Sequence, residues 1–153
     1  MNVVTLYIAA DHAGFERKEW LKAQLVRAGY QLDDLGATSM QRDDDYPQYG
    51  FVLAEHVAAS PDAVGILLCG SGQGICVAAN KVPGARAVSA FSPAMAASTR
   101  NDDHANILCL PARFLTDAEA LAITMAWLTT PPSPEARHER RVAAIGEYEA
   151  TRR

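Results

Sequence analysis

The sequence predicts an α/β fold built around a mainly parallel sheet. Short runs rich in Val, Ile and Leu alternate with longer stretches of helical periodicity, which is the pattern of βαβ units. Nearly all of these runs are continuously apolar, as strands covered on both faces should be. No repeat or change in composition divides the 153 residues, so we expect one domain over 1–153.

Five strands are predicted in chain order, at 3–10, 30–35, 64–69, 85–91 and 107–111. The first run, VVTLYIAA, is apolar, but no cationic stretch precedes it and Asp11 ends it after eight residues. It is therefore neither a signal peptide nor a membrane span, and no later run is long enough to span a membrane.

Helices are predicted between the strands, at 14–28, 48–59, 72–80, 116–128 and 135–150. The first carries Leu21 and Leu25 at helical spacing and ends at Gly29, a C-terminal cap. Thr116 and Glu119 form a capping-box pattern at the start of the fourth. The segment TTPPSPE interrupts the chain before the last helix, which is polar and could lie against a neighbouring molecule.

Composition narrows the function classes and the compartment. The formal net charge of −4 argues against nucleic-acid binding, although cations gather locally in RHERR at 137–141. The three cysteines are odd in number and widely spaced, without a CxxC pair. Free thiols in a reducing compartment explain this pattern better than disulfides or a zinc ribbon, so we expect a cytoplasmic protein.

A glycine-rich loop, GSGQG at 70–74, follows the third predicted strand and opens the third predicted helix. Glycines let the backbone approach a ligand, and the N–H groups at a helix start favour an anion. The spacing matches neither the dinucleotide fingerprint nor the Walker loop, and Ser71 lacks the glycines of a nucleophile elbow. A tight turn that binds nothing remains the alternative.

Reactive side chains stand at the ends of two predicted strands, where parallel α/β sheets bind ligands. Asp11 and His12 follow the first strand, and Cys69 ends the third. The positive end of the next helix favours the thiolate form of Cys69, which makes it a usable base. The alternative interpretations are that Cys69 is a core residue, that Asp11 caps a helix and that His12 is a surface residue. Cys76 and Cys109 lie in apolar stretches and are assigned to the core.

Arginines supply the third component of the predicted site. Arg113 ends the fifth strand, and Arg137 and Arg141 lie one turn apart on the last helix, an arrangement that suits an oxyanion. Arg140 is interpreted as solvated. Together, the thiol base, the arginines and the ring of N–H donors indicate an anionic small molecule that loses a proton next to a carbonyl.

The chain resembles the ribose-5-phosphate isomerase B group, which also contains the galactose-6-phosphate isomerase subunits. Five motifs in order carry the resemblance: ADHAGFERK near the start, DYPQYG at 45–50, CGSGQGICVAANKVPGARA at 69–87, ANILCLPAR at 105–113 and ARHERRVAAI at 136–145. The resemblance implies a Rossmann-like three-layer sandwich that forms homodimers or homotetramers, with active sites at the subunit boundary and the C-terminal helix packed on a partner. It also implies neither a metal nor another cofactor.

The implied reaction is aldose–ketose interconversion of a phosphosugar through a cis-enediol, with ribose 5-phosphate and ribulose 5-phosphate as the leading pair. By resemblance Cys69 is the base, since the family's alternative acidic position holds Ile75, and Ser71 stands near the reacting oxygens. The N–H groups of 70–74, which include Gly70, Gly72 and Gly74, would hold the enediolate. Asp11 would bind sugar hydroxyls. The phosphate would contact four further residues, some of them from the partner: His12, Arg113, Arg137 and Arg141.

One segment departs from the family pattern. Where the family usually reads HNDAN, this chain reads DDHAN at 102–106, so Asp102 replaces the ring-opening histidine and Asp103 the adjacent asparagine. An aspartate is mostly ionised at neutral pH, which makes Asp102 an unusual residue for ring opening. Three alternatives remain: Asp102 takes this role, His104 takes it, or the substrate needs little ring opening. A tetrose phosphate is such a substrate. A metal site in RNDDH and a non-catalytic phosphosugar-binding subunit are the remaining alternatives.

Overall fold

The computed structural model describes residues 4–152, which form a five-stranded sheet in which every neighbouring pair of strands is parallel. The strands are β1 (Thr5–Ala10), β2 (Leu32–Asp34), β3 (Ala63–Cys69), β4 (Ala87–Ser89) and β5 (Ile107–Pro111). Their order across the sheet is β2-β1-β3-β5-β4. All five predicted strands are confirmed. The first residue of the predicted first strand, Val3, lies outside the described residues.

Six helices are present in the described part of the chain: α1 (Phe15–Arg27), α2 (Tyr46–Ala58), α3 (Gln73–Ala79), α4 (Pro93–Asp102), α5 (Asp117–Thr129) and α6 (Ala136–Ala150). Five of them were predicted, and α4 was not. The hydroxyl oxygen of Ser92 accepts a hydrogen bond from Met95 N at 3.2 Å and caps α4. Because Ala96 is the one buried residue of α4, its sequence shows little apolar periodicity.

The sheet is covered on both faces, which confirms the three-layer sandwich. On one face Leu21 and Leu25 of α1 share an apolar cluster with Ile123 and Trp127 of α5. On the other face the buried side chains of α2 and α3, among them Leu53, pack on alternate strand residues. This double cover explains why the strands read as continuous apolar runs.

Two predicted helix caps are confirmed. Gly29 follows α1 with a φ of +93°, a conformation that favours glycine, and Tyr30 N donates to Leu25 O across the turn. At α5, Thr116 N donates to the Glu119 carboxylate at 2.7 Å and Glu119 N donates to the Thr116 hydroxyl oxygen at 3.2 Å. This reciprocal pair is the capping box that the sequence indicates.

The last helix, α6, is mostly solvent-exposed. His138 is the only buried residue of its 15, whereas Ile145 is 50% and Tyr148 62% exposed. A hydrogen bond from Gly84 N to the Glu149 carboxylate, 3.0 Å long, ties its far end to the rest of the chain. Packing of α6 on a partner stays a prediction. Within 4–152, every helix is too short or too polar to cross a bilayer.

The parallel topology separates the two edges of the sheet. Every strand ends at the carboxyl edge, and the helix that follows returns the chain to the amino edge. The segments after β1, β3 and β5 therefore meet at the carboxyl edge. The end of α4 and the residues before β5, 103–106, lie at the amino edge.

Candidate active site

A cavity of about 530 Å³ opens where β1, β3 and β5 end. Its lining consists of Asp11, His12, Ala13, Tyr46, Cys69, Gly70, Ser71, Gly74, Arg113 and Phe114. Seven predicted site residues therefore meet in one place, although they come from three separate segments. This is the edge at which α/β sheets hold their ligands.

Cys69 is the last residue of β3 and only 4% exposed. It belongs to an apolar cluster with Leu67 and Cys109, but it also lines the cavity. Cys69 therefore lies on the boundary between the core and the cavity. A substrate in the cavity can meet the thiol at a point that bulk water reaches poorly.

The glycine loop packs closely against the end of β5. Gly72 has a φ of +73°, and a Cβ there would lie 2.9 Å from the carbonyl carbon of Leu110. A Cβ on Gly70 would lie 2.9 Å from a guanidinium nitrogen of Arg113. The backbone N–H of Arg113 donates to Gly70 O at 3.0 Å. The small residues of the loop thus bring the Arg113 side chain beside Cys69.

Ser71 is exposed at the tip of the loop. Its hydroxyl oxygen accepts a hydrogen bond from Gln73 N at 3.2 Å, at the start of α3. One of the N–H groups expected to hold an enediolate is therefore engaged by the loop itself. The hydroxyl of Ser71 stays at the cavity wall, where its proton can reach a substrate oxygen.

Asp11 supplies a carboxylate to the cavity lining and is only 5% exposed. Its carboxylate accepts a hydrogen bond from Gly14 N at 3.1 Å in the turn before α1, whose N-cap residue is Gly14 and not Asp11. Burial raises the pKa of Asp11, against the lowering effects of the Gly14 N–H and of His12. The group can therefore accept hydrogen bonds from sugar hydroxyls and is protonated more readily than an exposed aspartate.

His12 is held by a residue that the sequence analysis did not identify. Its Nδ1 lies 2.8 Å from Asp44 Oδ1, and its backbone N–H donates to the same oxygen at 2.9 Å. The hydrogen bond with Asp44 raises the pKa of His12 above its usual value. A more persistent positive charge at the cavity wall favours an anionic ligand.

Two aromatic side chains of the lining were also missed. Tyr46 packs so closely on Gly74 that a Cβ at that glycine would lie 2.6 Å from the ring. Phe114, next to Arg113, is 70% exposed. The motif DYPQYG contains Tyr46 and carries part of the family resemblance, but no role followed from it in the sequence alone.

The segment with the unusual sequence lies at the opposite edge of the sheet. Asp102 ends α4 and accepts a hydrogen bond from the Ser98 hydroxyl at 3.2 Å, and Asp103 is exposed. His104 has a φ of +49°, and its Nε2 lies 2.9 Å from Ser133 O beside a second cavity of about 610 Å³. None of the three lines the first cavity.

The two predicted phosphate ligands on α6 lie near that same segment. Ser133 N donates to Asn101 O at 2.9 Å, and His138 Nε2 lies 3.9 Å from Asp102 Oδ1, so α6 begins beside the end of α4. Arg137 is exposed and pairs with Glu135, 2.7 Å away. Arg141 is exposed one turn further on. In a single chain the predicted site residues therefore lie in two places: at the cavity, and in an amino-edge group made of Asp102, Asp103, His104, Arg137 and Arg141.

The positions of the side chains in RNDDH bear on the alternative of a metal site in that segment. Between residues 4 and 152, no three His, Cys, Asp or Glu side chains are grouped closely enough to hold a metal ion. The side chains of RNDDH diverge, since Asp102 faces His138 while His104 faces Ser133 O.

The chain is similar to known sugar-phosphate isomerases in both sequence and structure. Residues 6–145 match the ribose/galactose isomerase family. The chain is 46% identical over 146 residues to ribose-5-phosphate isomerase B of Mycolicibacterium paratuberculosis, an alignment that covers 95% of this chain and 92% of the relative. It is 41% identical over 144 residues to a probable ribose-5-phosphate isomerase B of Mycoplasma pneumoniae, covering 94% of each chain.

Solved structures agree with the sequence matches. Ribose-5-phosphate isomerase B of Mycoplasma genitalium with bound ribulose 5-phosphate superposes with a TM-score of 0.91 at 39% identity, covering 95% of this chain and 96% of that one. The type B ribose 5-phosphate isomerase of Trypanosoma cruzi superposes with a TM-score of 0.92 at 35% identity, covering 97% and 98%.

Proposed function

The chain belongs to the ribose/galactose isomerase family, and on that premise we propose that it interconverts ribose 5-phosphate and ribulose 5-phosphate as an aldose–ketose isomerase. The observation that carries the proposal is the cavity in which the Cys69 thiol meets Asp11, His12 and Arg113. A base, hydroxyl ligands and cations for a phosphate are what this reaction needs. The relative from Mycoplasma genitalium was solved with ribulose 5-phosphate bound, which supports this substrate.

The proposed chemistry is a proton transfer between adjacent carbons. The Cys69 thiolate removes the proton from C2 of the open-chain aldose, and the electron pair moves through C1 to the carbonyl oxygen, giving a cis-enediolate. The thiol then returns a proton to C1 while the proton on the C2 oxygen moves to the C1 oxygen. Since the thiol serves both carbons from one face, no cofactor is consumed.

The enediolate charge is stabilised by fixed dipoles in this scheme. The proposed donors are the N–H groups of the glycine loop other than that of Gln73, which the Ser71 hydroxyl oxygen already engages. The Ser71 hydroxyl can move a proton between the two oxygens. The Cys69 sulfur is largely shielded from water, which strengthens these interactions.

We propose that the active site is completed by a second copy of the chain, in a homodimer or in a homotetramer of such dimers. The cavity offers Arg113 and His12 for the phosphate, while Arg137 and Arg141 lie with the amino-edge group. A two-fold axis could place the amino-edge group of each copy over the cavity of the other. The exposed apolar side chains of α6, Ile145 and Tyr148, supply surface for such an interface.

We assign ring opening to Asp102 rather than His104. The Asp102 side chain is 46% exposed beside the arginine-bearing start of α6, whereas the His104 ring is engaged by Ser133 O. In the dimer, Asp102 would enter the partner's cavity together with Arg137 and Arg141.

We also propose a cytoplasmic location, which the three free cysteines support.

A panel of phosphosugars tests the substrate. We expect the highest kcat/KM with ribose 5-phosphate among aldose phosphates of four, five and six carbons, measured by the appearance of the corresponding ketose. A clear preference for the four-carbon substrate, which has no furanose ring to open, would instead show that Asp102 does not perform ring opening. Binding of all the sugars without turnover would identify a non-catalytic phosphosugar-binding subunit.

A further inference from the structure

The carboxylate of Asp44 connects His12 to Tyr49. Asp44 lies just before α2, and its Oδ1 contacts both the Nδ1 and the backbone N–H of His12, at 2.8 and 2.9 Å. Its Oδ2 accepts a hydrogen bond from the Tyr49 hydroxyl at 2.9 Å. Both carboxylate oxygens are thus occupied, and the Asp44 side chain is only 12% exposed.

This connection determines which nitrogen of His12 is free. Because Nδ1 faces a carboxylate, it carries a proton, and Nε2 remains as the nitrogen for a ligand. Among residues 4–152, Nε2 has no hydrogen-bond partner. The ring lines the cavity and is 37% exposed, so this nitrogen is available to a substrate.

The charges around His12 favour its cationic form. The pKa of His12 is raised chiefly by its hydrogen bond with Asp44, with Asp11 adding to the effect and burial opposing it. Burial works to raise the pKa of Asp44, but its hydrogen bonds with His12 and Tyr49 hold it below the usual value. Burial and the contact with Asp44 raise the pKa of Tyr49 to about 12, so Tyr49 stays a neutral donor at physiological pH.

Other charged groups face the same ring. Glu16 and Arg42 line a smaller recess that His12 shares with the main cavity, and Arg113 lines the main cavity itself. Asp44 is the one that contacts the imidazole directly within hydrogen-bond distance. It therefore has the largest influence on the ionisation and the orientation of the ring.

We propose that Asp44, itself held by Tyr49, is a positioning residue that keeps His12 protonated on both nitrogens and directs Nε2–H at the substrate phosphate. The inference rests on the proposed function for its substrate, a dianionic phosphosugar. His12 then forms a charge-assisted hydrogen bond with a phosphate oxygen. The imidazolium is present at pH values below the pKa of His12. This bond is therefore lost as the pH rises through the pKa that His12 has in the complex with substrate.

Asp44→Asn tests the proposal in the 153-residue chain. We expect the His12 imidazole to titrate at a lower pH than in the wild type, followed by NMR with the His12 signals assigned from a His12→Gln variant. At pH 7.5, inorganic phosphate should bind about tenfold more weakly, and KM should rise similarly with kcat within about twofold. Tyr49→Phe should change the same quantities in the same direction by less.

Asp43→Asn is the matched control, because it removes an exposed carboxylate from the neighbouring position. We expect it to change neither the titration of His12 nor phosphate affinity. An unchanged His12 titration in Asp44→Asn, or an unchanged affinity for inorganic phosphate, would overturn the inference. Neither measurement needs turnover, so a wild-type protein that fails to isomerise any sugar would count against the proposed function alone.

Discussion

Replacing Cys69 with alanine should lower kcat for ribose 5-phosphate isomerisation by at least about a hundredfold, because general-base catalysis contributes roughly 10²- to 10⁴-fold. The affinity for inorganic phosphate should stay within about twofold, since the cationic groups of the site are untouched. Steady-state kinetics and a phosphate titration on the same preparation measure both quantities. Cys69→Ser, which keeps a polar atom but offers a much weaker base, should be nearly as inactive.

Cys76→Ala is the matched control for this substitution. Cys76 is half-buried on α3, does not line the cavity, and its sulfur lies 3.9 Å from the Asn80 amide nitrogen. We expect activity close to that of the wild type. A Cys69→Ala enzyme that retained near-normal turnover would remove the thiol from the mechanism, and a comparable loss in Cys76→Ala would point to a general effect of cysteine removal.

A mixed dimer should recover activity that both of its parents lack. The Arg137→Gln/Arg141→Gln double variant should lose at least about a hundredfold in kcat/KM, because two charge-assisted phosphate contacts disappear. In a mixed dimer of this variant with Cys69→Ala, each site combines the cavity of one chain with positions 137 and 141 of the other. One site therefore carries both defects, and the other has an intact Cys69 together with intact Arg137 and Arg141. Isolated by two different affinity tags, the mixed dimer should show about half of the wild-type activity.

The pairing of Cys69→Ala with Arg113→Gln is the control for this experiment. Cys69 and Arg113 line the same cavity, so each site of that mixed dimer keeps one defect and activity should not return. If the first mixed dimer also stayed inactive, Arg137 and Arg141 would have to serve the cavity of their own chain, and the shared site would be wrong.

The strands were predictable because each is buried on both faces and therefore reads as an apolar run. The prediction for 107–111 matches β5, whereas the run 85–91 is longer than β4 because Ala90 and Phe91 already lead toward the cap of α4. Helix α4 was missed because it buries a single side chain. The start signal of α4 in the sequence is Ser92, its N-cap, followed by Pro93 at the beginning of the helix.

The positions of the cavity residues that follow β1 and β3 were predictable from the ends of the strands, whereas the positions of Asp102 and Asp44 relative to the cavity were not. Residues that follow parallel strands meet at one edge, which is why Asp11 and Cys69 share the cavity. Asp102 precedes a strand, so the same rule places it at the opposite edge, from which the proposed dimer would bring it to the partner's cavity. Asp44 contacts His12 across 32 residues from a polar loop, and no periodicity in the sequence reveals such a contact.

We propose that this protein moves a proton between C1 and C2 of ribose 5-phosphate with the Cys69 thiol as the base. Isomerisation in heavy water, followed by NMR, measures this transfer directly. We predict that the wild type incorporates deuterium at C1 of ribulose 5-phosphate and at C2 of ribose 5-phosphate, and that Cys69→Ala incorporates it at least about a hundredfold more slowly. Binding of ribose 5-phosphate by the wild type without any exchange, or undiminished exchange in Cys69→Ala, would rule out proton transfer by this thiol.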